Sequence, residues 1–66
     1  MISENVARYI REKGVKQTVI ADAIGISAPS LNNKLQGKTK LYAEEYFALC
    51  EFLNVPTDYF RDKDHA

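Results

Sequence analysis

Sixty-six residues carrying nine basic and nine acidic side chains form one small domain of zero net charge. With one cysteine (Cys50) and one histidine (His65), the chain can hold neither an intramolecular disulfide nor the four ligands that structural zinc usually takes. It also lacks a Ser-His-acid or Cys-His set, a phosphate-cradling glycine loop, a secretory leader and an apolar run of membrane-spanning length, which excludes the common enzyme and membrane classes.

The elements follow a regular punctuation at Gly14, Gly25, Gly37 and Pro56, and no stretch alternates long enough to make a strand. Ser3 reads as the N-cap of a first helix, with Glu4 suited to its dipole and Val6, Tyr9, Ile10 and Lys13 at helical spacing up to Gly14. A second helix runs from Gln17 to Ile24, buries Ile20, Ala21 and Ile24, and ends at Gly25. Ser27 caps a third, with Pro29 tolerated in its first turn, Leu31 and Leu35 facing inward and Gly37 closing it. The fourth, Leu41 to Leu53, is the most apolar and exposes Glu44, Glu45 and Glu51. Thr57 caps a fifth, short helix from Asp58 to about Arg61 that carries Phe60 into the core. The reading is a compact all-α, five-helix domain over residues 1–61, with 62–66 as a disordered tail. Tyr9, Tyr42, Phe47, Phe52, Phe60 and Cys50 are assigned to the core, and the acidic second half, with Tyr46, Tyr59 and Phe60, is the expected self-association surface.

Charge is divided unevenly. Residues 1–40 hold seven basic and three acidic side chains, whereas 41–66 hold two basic and six acidic ones. That split of +4 against −4 suits a basic binding face on an acidic remainder.

The informative stretch is Gln17 to Gly37: a short helix, a turn containing Gly25, and a second short helix. A small Ala21 permits close helix crossing, and Ile20, Ile24, Ile26 and Leu31 supply apolar bulk around it. The segment Gln17-Thr18-Val19-Ile20-Ala21-Asp22-Ala23-Ile24-Gly25-Ile26-Ser27 resembles the helix-turn-helix of the phage lambda repressor-like (Cro/C1, XRE) regulators. The likeness runs from about Ile2 to Phe60 and includes Gly37-Lys38 and Leu53-Asn54-Val55. The usual Glu two residues before the glycine is missing; Leu31 to Lys38 is similar instead to a phage-like subset reading Leu-x-Asn-Lys-Leu-x-Gly-Lys.

The resemblance implies a cytoplasmic, phage- or mobile-element-type repressor that binds a palindromic double-stranded DNA operator as a homodimer, without cofactor or small-molecule substrate. The third helix, 28–36, is then the recognition helix in the major groove. Its polar surface gives base-contacting candidates Ala28, Pro29, Ser30, Asn32 and Asn33, since Asn pairs bidentately with adenine and a methyl packs on thymine. Phosphate-contacting candidates are Gln17, Thr18, Ser27, Lys34, Lys38, Thr39 and Lys40, drawn from helix starts, the recognition-helix flank and the loop after Gly37. Arg8 and Arg11 serve equally well as partners of Glu4 and Glu12. With roughly four phosphate contacts per subunit, a dimer has a log–log salt slope near −7. The alternative is an antitoxin-like module on the same fold, whose main partner is another protein.

Overall fold

A computed structural model describes residues 2–61. It contains α1 (Ile2–Lys13), α2 (Gln17–Ile24), α3 (Ala28–Leu35) and α4 (Ala43–Leu53), with no strand among the described residues. α2 packs against both α3 and α4, and α1 against α3. The core gathers Val6 and Ile10 of α1, Ile20 and Ala21 of α2, Leu31 and Leu35 of α3, Leu49 and Cys50 of α4, and Phe60.

All four helices stop in one way. Gly14, Gly25, Gly37 and Asn54 have positive φ, and the next residue donates its N–H back to a carbonyl five positions earlier: Val15 to Ile10, Ile26 to Ala21, Lys38 to Asn33, and Val55 to Cys50. These are Schellman closures, in which a left-handed residue lets the chain reverse and satisfy the last carbonyls. Three of the donating residues (Val15, Ile26 and Val55) are apolar and pack on the core, as the motif favours. The fourth, Lys38, is exposed. The stop at Gly25 (φ 83°) makes the α2–α3 connection only Gly25-Ile26-Ser27 long. Ser27 then caps α3, its Oγ accepting the Ser30 N–H at 3.2 Å.

Four expectations are corrected. The segment after Pro56 is not a fifth helix: Tyr59 donates to the Pro56 carbonyl at 3.0 Å and Arg61 to Asp58 at 3.3 Å, so the backbone forms short turns. A nucleus fixing several dihedrals for one bond is unfavourable in so brief a segment, and Asn5 Nδ2 of α1 already donates to the Phe60 carbonyl at 2.7 Å. Phe60 still reaches the core, 3% exposed. α1 starts at Ile2, leaving Ser3 inside its first turn, and α4 starts at Ala43 with Tyr42 before it. Finally, Tyr42, Phe47 and Phe52 are exposed, not core. The buried stripe of α4 is set by Leu49 and Cys50 with Tyr46 and Leu53 partly buried beside them, and Phe47 and Phe52 fall on its two flanks. The expectations for 62–66 and His65 lie outside the described residues.

Candidate nucleic-acid interface

The α2–turn–α3 unit presents α3 by its outer face. Leu31, Lys34 and Leu35 form its buried stripe. At about 100° per residue, Pro29 and Asn33 point directly away from that stripe, with Ser30 and Asn32 on either side. Pro29 is exposed and Ser30, Asn32 and Asn33 are half-buried. Ala28 is also half-buried, but it packs against the core, so its methyl is turned partly inward. The most outward group on the helix is therefore Pro29 with Asn33, one turn apart, carrying no charge.

Around this face lie the polar starts and loops. Gln17 (half-buried) and Thr18 (exposed) open α2, whose first N–H groups point out of the helix end. Ser27 is exposed, and while its Oγ lone pair serves the α3 cap its hydroxyl hydrogen can still be donated. Lys38, Thr39 and Lys40 are all exposed. The Lys38 N–H is consumed by the Asn33 carbonyl at 2.9 Å, so in this residue the ammonium, not the backbone, is available to an anion. Lys16, exposed and immediately before α2, stands beside Gln17 and Thr18 and was not among the residues picked out from the sequence. Its place directly before a predicted helix start was the signal for it.

Lys34 is the clear departure from expectation. It is 7% exposed, and its Nζ donates to the Lys40 carbonyl at 2.8 Å and pairs with Glu45 Oε1 at 3.1 Å. The ammonium also lies 4.8 Å from the centre of the Tyr42 ring. Glu45 Oε1 in turn accepts the Tyr42 N–H at 3.0 Å. Burial pushes the Glu45 carboxyl up, but the Tyr42 N–H and the Lys34 ammonium outweigh it and hold the group below its usual range. Lys34 thus faces inward because one long side chain can reach an acid, a carbonyl and a ring together. It is not a surface phosphate ligand in this arrangement.

Arg8 is likewise occupied: its Nη2 donates to Asn5 Oδ1 at 2.7 Å, bracing the residue that holds Phe60. Lys13 lies 5.6 Å from the centre of the Tyr9 ring. Among the described residues no group of three or more His, Cys, Asp or Glu could hold a metal ion, and no helix is long and apolar enough to cross a membrane.

The sequence over residues 6–60 matches the helix-turn-helix family model HTH_3, of Cro/C1 type. The chain belongs to this family. The match spans α2, the three-residue turn, α3 and α4, and begins inside α1. HTH_3 membership makes this a DNA-binding helix-turn-helix domain of the transcription-regulating kind, a family that is regulatory rather than catalytic. No curated protein and no solved structure matches the chain.

Proposed function

We propose that this HTH_3 domain is a sequence-specific repressor of phage or mobile-element type that acts in the cytoplasm as a homodimer on a palindromic operator. α3 enters the major groove with Pro29 and Asn33 foremost, Ser30 and Asn32 flanking, and Ala28 at the rim. Gln17, Thr18 and Ser27 donate to phosphates from the helix starts, and Lys16, Lys38, Thr39 and Lys40 hold the backbone on both sides. The observation that carries this reading is the outer face of α3, uncharged and rich in amide and hydroxyl groups directly after a three-residue turn. A merely solvated face carries Lys and Glu more readily, because Asn and Ser are poor helix formers.

Specificity then comes from hydrogen bonds and apolar contacts to base edges, and affinity from the lysines. One short helix gives few base contacts, so two subunits share the work. The exposed Tyr59 and Phe47, on the acidic half, offer apolar area for pairing, whereas Phe60 is buried and Tyr46 is half-buried against the core, so both drop out of that surface.

In vitro selection of bound duplexes from random DNA tests the reading. The expected product is an enriched palindrome with half-sites about 10 base pairs apart. No enriched motif overturns it in favour of a protein partner.

A further inference from the structure

We infer that Lys34 is a positioning residue, whose buried ammonium fixes the Lys38–Lys40 loop against the recognition helix and so determines how well the loop grips phosphate. The inference rests on the DNA reading above and deepens it.

Lys34 shares its stripe with Leu31 and Leu35, where an apolar side chain extends the core at lower desolvation cost. A charge kept in such a place needs something only a charge can do. Here it joins three elements: it grows from α3, its Nζ takes the Lys40 carbonyl, and its ion pair reaches Glu45 in the first turn of α4. Glu45 closes the circuit by accepting the Tyr42 N–H that starts α4.

The loop has little else to hold it. Lys38, Thr39 and Lys40 are exposed and contribute no apolar side chain to the core. Its first residue is tied to α3 by the Lys38 N–H on the Asn33 carbonyl, and its last by the Lys40 carbonyl on Lys34. Both anchors are thus neighbouring residues of the recognition helix, and one of them, Asn33, is an outward-facing base candidate. The loop lysines are held in register with the base-reading face through Lys34.

The test turns on a sign. If Lys34 grips phosphate directly, removing its acidic partner frees it, and Glu45→Gln tightens DNA binding. If Lys34 positions the loop, Glu45→Gln weakens binding although the protein loses a negative charge. Fluorescence anisotropy with the duplex selected by the wild type, on proteins shown folded by circular dichroism, is expected to read roughly 5-fold weaker binding with the order of preferred sequences unchanged. Equal or tighter binding overturns the inference.

A second arm covers the case in which Glu45→Gln does not fold. The paired variant Lys34→Met/Glu45→Met leaves no charge unpaired, a replacement that proteins often tolerate. In that background Lys38→Ala is expected to cost at least about 2-fold less affinity than in the wild type, because a loosened loop has less to lose. Equal costs in both backgrounds overturn the inference. A wild type that binds no duplex even at low salt removes the DNA reading itself, whereas wild-type binding with Glu45→Gln unimpaired removes only the role given to Lys34.

Discussion

Two polar side chains show how single residues hold this small domain together, and each gives a pH-dependent prediction. Glu45 has its folded pKa depressed by the Tyr42 N–H and Lys34, against the effect of burial. Its contribution to stability is therefore complete above the unfolded value of 4.5 and is lost as pH falls through the lower folded value. Lys34→Ala leaves this acid, whose side chain is 18% exposed, without its cation. Partial exposure discounts the full penalty of a buried unpaired charge, so we expect destabilisation of about 1–3 kcal/mol at neutral pH by urea unfolding. Tyr46 behaves oppositely. Burial pushes its hydroxyl up to about 12, and that hydroxyl donates to the Thr57 carbonyl. A raised folded pKa means stability present below the unfolded value near 10 and lost as pH rises through about 12. Tyr46→Phe should lower stability by about 1 kcal/mol at pH 7 and flatten the alkaline loss in a thermal-melt series. An unchanged alkaline profile contradicts that assignment.

At the level of elements, the helix stops are what make the reading unit short and rigid. A Cβ built on Gly25 meets nothing within 4 Å, yet its φ of 83° is one that L side chains rarely adopt. Gly25→Ala should cost about 1–2 kcal/mol from backbone strain alone, with the fold retained. A neutral result means that the turn relaxes to another conformation. The positions of α2 and α3 were legible from Gln17, Gly25, Ser27 and Gly37, because caps and left-handed stops act through adjacent residues. The end of the chain was less so: Thr57 and Asp58 look like a helix start, but a helix needs more consecutive bonds than the segment forms. Lys34 was misread for a different reason. Three-residue spacing places it beside Leu31 on the inner stripe, but its charge argues for the surface, and only tertiary structure brings Glu45 and the Lys40 carbonyl within its reach. Phe47 and Phe52 were assigned inward on hydrophobicity, although α4 has more apolar residues than one face can bury.

The molecule as a whole divides into the proposed reading side, built on α2, α3 and the Lys38–Lys40 loop, and an acidic side built on α4 and the turns after it. The exposed Phe47 and Tyr59 lie on the second side, so Tyr59→Asp should shift sedimentation toward monomer and weaken operator binding while leaving helix content unchanged. A variant that sediments as the wild type does removes Tyr59 from the pairing surface. The inward turn of Lys34 also changes the electrostatics of binding. On the proposed reading, with Lys16, Lys38 and Lys40 as the cations that face phosphate, a dimer is expected to neutralise about six phosphates with a log–log salt slope of about −5, shallower than the −7 expected when Lys34 is counted among the contacts. The salt dependence of affinity for the selected duplex is the most direct measurement. A slope of about −5 that becomes shallower by about 2 in Lys38→Ala dimers agrees with a reading domain held on DNA by these lysines; a slope near zero contradicts it.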